Sequence, residues 1–321
     1  CRQPMQKRGR TAAGTQRWYC RLCASSAVRT RPDTTTRHHR TLFTHWLTGN
    51  RSLSEVASEH GVSRRTLIRW FTPLWRSPPP PPTLHPDTAA IYILDGVYLS
   101  GREHVALICR TLTARLSWCF AMRESWLSWM TFLQTLPAPD VAVIDGQKGL
   151  LAAIPSLWPQ TKIQRCLVHI ERLARAKLTR QPKTSAGKGL LSLVQGLFTV
   201  RTKRQRRRWL RAYRRWERQH ATFLKERSDG EPSAGKKRRW WYTHRNIRAA
   251  RSLIRNALPH LFTFVRYPQV PRTTNHVEGG INSRLKELVH RHRGLSPDRK
   301  QALVATFLTQ RNTKKPPRNV T

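Results

Sequence analysis

Apolar positions between residues 88 and 170 alternate between continuous runs, which are typical of buried strands, and stretches with helical spacing. The runs that predict strands lie at residues 91–98, 103–112, 115–122, 141–144 and 163–168. Helical spacing covers residues 125–136 and 149–157. This order predicts a mixed α/β layer in which helices cover a sheet, with the first three strands as antiparallel neighbours.

The spacing becomes helical from about residue 171 to 268, which predicts a helical insertion interrupted by a polar loop at residues 228–237. Trp209, Tyr213 and Trp216 recur at helical spacing, and residues 201–218 hold ten Lys or Arg. We expect the aromatic face to pack in a core rather than stack on bases, and the basic face to suit phosphate groups.

Residues 39–75 predict three short helices. The first has an apolar face formed by Leu42, Phe43, Trp46 and Leu47. Ser52 and Glu55 have the spacing of a capping box at the start of the second helix, whose apolar residues are Leu53, Val56 and Ala57. Gly61 ends that helix, and Ser63 is the expected N-cap of the third.

The third helix is expected to bury Leu67, Ile68 and Trp70 and to turn outward Arg64, Arg65, Thr66 and Arg69. A helix, a Gly turn and a Ser-capped helix fit the DNA-reading helix-turn-helix, whose second helix supplies the contacts in the major groove. The alternative is the solvated face of a small helical bundle. We favour DNA binding because every outward charge is basic.

Five consecutive prolines within residues 77–83 predict a stiff polyproline II spacer. The predicted domains are a zinc-ribbon-like segment at 1–36, a helix-turn-helix at 37–76, a Pro-rich linker at 77–87 and an α/β domain at 88–321.

The net charge of the chain indicates which class of partner it binds. Lys and Arg total 60 against 17 acids, a formal net charge of +43, and the default partner of so basic a chain is nucleic acid. A ribosomal-type RNA binder or a nucleoid packing protein would also be basic, but such proteins normally lack long aliphatic strands that end in acids. Without a visible signal peptide or an apolar run of membrane-span length, we expect a cytoplasmic protein that does not bind membranes.

The cysteines fall into two groups. Cys109, Cys119 and Cys166 lie in apolar runs and are interpreted as reduced thiols. Cys20 and Cys23 form a Cys-x-x-Cys knuckle at zinc-ribbon spacing from Cys1, which predicts a Zn²⁺ site. The fourth ligand is expected upstream, because the chain starts without Met and its true N-terminus is expected to be missing. The alternative is a set of chance turn cysteines.

Two strands are predicted to end in an Asp-Gly step, at Asp95-Gly96 and at Asp145-Gly146, and a third acid, Glu278, lies downstream on a predicted helix with Asn282. Three clustered carboxylates would repel one another unless a cation neutralised them. Oxygen ligands select a hard ion such as Mg²⁺, which suits phosphodiester chemistry.

These features together resemble bacterial insertion-sequence transposases of the Mutator-like DDE superfamily. The resemblance rests on Asp95-Gly, Asp145-Gly, the Cys-x-x-His of Cys166 and His169, and the series Thr274-Asn275-x-x-Glu278-x-x-x-Asn282. It implies a ribonuclease-H-like catalytic core with an all-helical insertion before the third acid. It also implies Asp95, Asp145 and Glu278 as catalytic ligands of two Mg²⁺ (or Mn²⁺) ions.

The resemblance further implies that His169, Asn275 and Asn282 contact DNA near the active site. The expected activity is Mg²⁺-dependent cleavage at element ends and strand transfer into target DNA, by at least a dimer associated with the bacterial nucleoid. Two alternatives stay open: a decayed or domesticated transposase that acts as a non-catalytic DNA-binding repressor, and a structure-specific nuclease or resolvase on the same fold.

Overall fold

A computed structural model describes residues 1, 3–28, 32–86, 90–101, 103–230, 240–274 and 278–313. The chain divides into two compact units, Cys1–Pro79 and Pro80–Thr321. No helix within these described ranges is both long enough and apolar enough to cross a membrane.

The first unit contains a small antiparallel sheet followed by three helices. The strands, in sheet order, are β1 (Gln6–Arg10), β2 (Gln16–Tyr19) and β3 (Ser26–Val28). The helices are α1 (Pro32–Thr48), α2 (Leu53–Glu59) and α3 (Arg64–Arg76). The expected capping box is present, with Glu55 N–H donating to Ser52 Oγ and Ser52 N–H donating to the Glu55 carboxylate. Ser63 caps α3 as predicted.

One side-chain prediction in this unit is wrong. Ile68 is 45% exposed, and the apolar face of α3 is instead formed by Leu67 and Phe71, four residues apart and therefore on the same side of the helix. Trp70 is half-buried and stacks on His39, with ring centroids 4.2 Å apart. The apolar face of α1 is buried as expected.

The second unit is built on a five-stranded mixed sheet. Its strands are β4 (Ile91–Ser100), β5 (Glu103–Thr111), β6 (Leu116–Ala121), β7 (Val141–Ile144) and β8 (Lys162–Arg165), in the order β6-β5-β4-β7-β8. The first three are antiparallel, whereas β7 runs parallel to β4 and β8. The mixed α/β architecture predicted from the sequence is confirmed.

Two strand limits differ from the prediction. β4 does not end at Asp95-Gly96 but continues to Ser100, because the hairpin with β5 keeps pairing beyond the end of β7. The last predicted strand is shorter than expected, since β8 ends at Arg165 and a helix starts at Leu167.

Helices cover both faces of this sheet. The short crossovers α4 (Trp126–Leu133) and α5 (Lys148–Leu157) pack on the face that carries Tyr92 and Leu94. The helices α6 (Leu167–Leu178), α7 (Ser185–Gly196), α8 (Lys203–Gln219) and α9 (Arg245–Ala257) share a second apolar core with the opposite face, at Ile91 and Ile93.

The predicted insertion is not all-helical. Besides these helices and α10 (Thr263–Arg266), it contains an antiparallel hairpin of β9 (Arg227–Asp229) and β10 (Trp240–Tyr242). The Arg227 guanidinium lies 4.0 Å from the ring centroid of Trp240, a cation–π contact that stabilises the pairing. Part of the predicted loop, residues 231–237, lies outside the described residues.

The C-terminal part begins with a π-helical turn, Glu278–Asn282, and continues in α11 (Ser283–Arg291) and α12 (Pro297–Thr313). Sequence analysis did not predict α12. Asn312 of this helix accepts from Leu116 N–H at 2.7 Å and donates to Leu116 C=O at 2.9 Å. It therefore satisfies backbone groups of β6, an edge strand whose polar groups would otherwise be open.

Candidate active site

Asp95 lies within β4, and Asp145 directly follows β7, the parallel neighbour of β4 in the sheet. β4 and β7 pair in parallel register up to Leu94 and Ile144, and each acid is the next residue after that pair. Neighbouring strands are about 4.8 Å apart, so the sheet brings together two carboxylates that are distant in sequence. Asp95 is only 8% exposed.

Backbone and amide donors hold both carboxylates in place. Gly96 N–H donates to Asp95 Oδ1 at 3.0 Å, and the Asn282 side-chain amide donates to Asp95 Oδ2. Gln147 N–H donates to Asp145 Oδ1 at 2.8 Å, where the chain turns into α5. Asn282 therefore joins the C-terminal part of the chain to the first acid.

Glu124 is a third carboxylate at this site, and sequence analysis missed it. A Cβ added at Gly96 would lie 2.8 Å from Glu124 Cδ, so the carboxylate rests directly on the backbone beside Asp95. Trp129 Nε1 donates to Glu124 Oε1 at 3.3 Å. Burial, with the Asp145 charge as a second cause, raises the pKa of Glu124 to about 7. The only feature of the neighbouring sequence that could have pointed to Glu124 is its position directly before Ser125, the N-cap of α4.

Arg165 supplies a cation beside the acids. This buried side chain donates through Nη2 to the backbone C=O of Asp145 at 3.1 Å. Gly146 has φ +96°, and a Cβ there would fall 1.9 Å from the Arg165 guanidinium carbon, so only glycine leaves room for the contact. Burial, followed by the Arg165 charge, lowers the pKa of His260.

Cys166 connects the end of the sheet to the segment before Glu278. Its buried Sγ accepts from both the N–H and the hydroxyl of Thr274, each at 3.3 Å. Leu167 N–H donates to Arg272 C=O at 3.0 Å and adds a third link. Burial raises the pKa of the Cys166 thiol, but hydrogen bonds with His169 and Thr274 outweigh it, so the pKa is lowered overall.

The third predicted acid is only partly described. The backbone of Glu278 lies in the π-helical turn that ends at Asn282, while its side chain and all of Asn275 lie outside the described residues. Asn282 is 4% exposed and is buried against Asp95. His169 is half-buried at the start of α6, beside Cys166.

The first unit holds the predicted cysteine cluster. The sulfur atoms of Cys1, Cys20 and Cys23 all lie within 4.8 Å of one another, a group that could hold a metal ion. The side chains of Arg64, Arg65 and Arg69 on α3 are exposed, whereas Thr66 is half-buried and its hydroxyl is hydrogen-bonded to Ser63.

The described acids fit a hard cation in ligand type but do not complete a site. Asp95 and Asp145 offer the oxygen donors that Mg²⁺ prefers. Across the described side chains, however, the cysteine cluster alone brings three ligand atoms within 4.8 Å of one another. Glu278, whose side chain is not described, follows the segment held by Cys166.

The sequence profile described as "Transposase, Mutator family" matches residues 91–226, which include Asp95, Glu124, Asp145, Cys166 and His169. Residues 91–226 of this chain are therefore similar to the Mutator family of transposases. The match ends before Glu278 and Asn282, so the similarity is carried by the sheet, Asp95 and Asp145, and the first part of the helical segment.

Two curated relatives are transposases of insertion sequences. The chain is 34% identical over 106 residues to the transposase for insertion sequence element IS905 of Lactococcus lactis subsp. lactis (strain IL1403), covering 28% of this chain and 27% of that one. It is 28% identical over 97 residues to the transposase for insertion sequence element IS1201 of Lactobacillus helveticus, covering 29% and 24%. The matched segments span about a quarter of each relative's length.

Proposed function

We propose that this protein is a DNA transposase that cleaves the ends of an insertion sequence and transfers the freed strands into target DNA. The observation that carries the proposal is the pair Asp95 and Asp145, which follow the paired residues Leu94 and Ile144 within the segment that matches the Mutator family. Two carboxylates held at neighbouring positions of a rigid sheet, with the Arg165 cation beside Asp145, suit chemistry on a phosphodiester.

We take the catalytic unit to be ribonuclease-H-like. Three antiparallel strands followed by helix, strand, helix and strand, with the acids on the two central strands, support this interpretation. The helical segment after β8, together with the β9–β10 hairpin, is the insertion that precedes Glu278.

Asp95, Asp145 and Glu278 are the proposed ligands of divalent Mg²⁺ or Mn²⁺. When bound, the ions would activate the attacking oxygen and stabilise the leaving oxygen of the phosphodiester. The chain's own contribution is positional: Gly96 N–H and the Asn282 amide orient Asp95, and Gln147 N–H orients Asp145. Burial of Asp95 limits the water that competes for this position.

Sequence recognition is assigned to α3 in the first unit. Arg64, Arg65 and Arg69 are exposed, and the capped start of the helix presents the first two at the end that enters a major groove. Thr66, hydrogen-bonded to Ser63, has a weaker claim to a base contact. His169 and Asn275 are proposed to contact DNA near the acids, and synapsis of two ends would require at least a dimer.

The test is strand transfer by the purified chain with Mg²⁺ and a pre-nicked duplex that carries the element end. Wild type should join the end to target DNA, and Asp145→Ala should not, while both bind the duplex equally. In the same assay Arg65→Ala should lose the preference for end sequence over random sequence. Strand transfer retained by Asp145→Ala would refute the assignment of the acids.

Absence of joining by wild type, with DNA still bound, would favour a decayed transposase that acts as a repressor. Nicking without joining would favour a structure-specific nuclease on the same fold.

A further inference from the structure

Helix α8 is fixed in one orientation about its axis by its aromatic residues. Trp209, Tyr213 and Trp216 are 6%, 1% and 5% exposed. Trp209 Nε1 donates to Leu193 C=O at 2.8 Å, and Trp216 Nε1 donates to Ala186 C=O at 3.0 Å, so both indoles are bonded to α7. The opposite face of α8 must therefore point away from the core.

That outward face is strongly and uniformly basic. α8 carries nine Lys or Arg and a single acid, Glu217. Glu217 is already engaged, because Arg251 Nε and Tyr213 Oη both contact its Oε1. We define the basic stripe as the cations that line one surface groove with Leu210, namely Lys203, Arg204, Arg207, Arg211 and Arg214.

Among the described residues, no carboxylate pairs with the cations of the basic stripe. All five side chains are exposed, and within the described ranges no carboxylate lies within 4.0 Å of any of them. Arginines held this close together repel one another, so an anionic partner would stabilise the arrangement. At the rise of an α-helix, the distance along the axis from Arg204 to Arg214 is about 15 Å, comparable with roughly four phosphates at 3.4 Å per step of a DNA strand.

We propose that the basic stripe binds the phosphate backbone of double-stranded DNA independently of base sequence. The inference rests on the proposed function, because it takes the transposon or target duplex as the partner. A membrane surface fits less well. A helix that lies on a bilayer needs a free apolar face, and the apolar face of α8 is buried against α7.

The test compares the wild-type chain with a variant in which Arg204, Arg207, Arg211 and Arg214 are all replaced by Gln. The matched control replaces four exposed cations on α6, α7 and their connection: Lys177, Arg180, Lys183 and Lys188. Both variants lose the same charge from the same unit. Affinity for a duplex of random sequence is measured in EDTA from about 50 to 200 mM salt, a range in which phosphate contacts give a strong salt dependence.

In the stripe variant, the slope of log K against log salt should be less negative by about 3 to 4, because each lost phosphate contact removes about 0.9 from its magnitude. In the control variant, the magnitude of this slope should fall by less than about 1. Replacing the same four residues by Lys keeps the charge and should restore most of the slope, which separates loss of contacts from misfolding.

Equal losses in the stripe variant and the control would overturn the proposal, since a general charge effect would explain both. An unchanged slope in a folded stripe variant would overturn it too, as would selective loss of binding to phosphatidylserine vesicles or to duplex RNA while DNA binding persists. The measurement of DNA affinity does not depend on catalysis. If the wild-type protein does not bind DNA, the proposed function fails together with this inference. If the wild-type protein binds DNA through the basic stripe but is inactive, this inference stands and only the proposed function fails.

Discussion

Glu124→Gln should make the stability of the protein less dependent on pH and should raise stability at alkaline pH. Glu124 is half-buried between Gly96 and Trp129, and burial and the Asp145 charge raise its pKa to about 7. A carboxyl with a raised pKa binds a proton more tightly in the folded state than in the unfolded state. Stability is therefore highest below the ordinary pKa of 4.5 and falls as the pH rises through 7.

The magnitude follows from the size of the pKa difference. At 1.36 kcal/mol per pH unit, a rise from 4.5 to about 7 corresponds to roughly 3 kcal/mol. Because the side chain keeps some contact with solvent, screening reduces this to about 2 kcal/mol. The uncharged amide of Gln has nearly the same shape and does not titrate, so the variant should avoid this loss.

The assay is urea unfolding of wild type and Glu124→Gln in EDTA at pH 5 and pH 8.5, followed by tryptophan fluorescence. The free energy of unfolding of the variant relative to wild type should increase by about 2 kcal/mol between the two pH values. Asp145→Asn removes the neighbouring charge and should shrink the effect of Glu124→Gln. A difference between variant and wild type that stays constant with pH would refute the placement of Glu124 beside the acids.

Two further predictions concern the cysteines. Cys166→Ala should destabilise the protein by about 1 to 3 kcal/mol in urea unfolding, because the N–H and the hydroxyl of buried Thr274 lose their shared acceptor. Cys166→Ser keeps an acceptor and should lose less stability. Equal stability of the two variants would contradict the role given to the sulfur. The purified chain should contain zinc that Cys20→Ser removes, because three cysteine sulfur atoms lie close together there. A zinc-free wild type would argue for chance turn cysteines.

Local sequence patterns determined the positions of the main strands, the starts of two helices and two of the candidate acids. The apolar runs located the strands of the sheet, and Ser52 with Glu55 and Ser63 marked the starts of α2 and α3, because caps and strands depend on neighbouring residues. Helical spacing identified Trp209, Tyr213 and Trp216 as core residues. The candidate acids Asp95 and Asp145 were found in the same way, from the apolar runs that lead into them.

Tertiary structure decided what depends on pairing between distant segments. β4 continues past Asp95 because β5 remains beside it, and the β9–β10 hairpin forms within a stretch with no alternating pattern long enough to predict it. α12 satisfies the open edge at Leu116 through Asn312, a contact that no local pattern encodes.

The site shows the same division. The sequence supplied Asp95 and Asp145, but only the parallel register of β4 and β7 makes them neighbours. Glu124 lies in an exposed-looking turn of the sequence and becomes part of the site because Gly96 has no side chain to keep it away. Long-range contacts of this kind depend on how the whole core packs, and therefore on residues far from either partner.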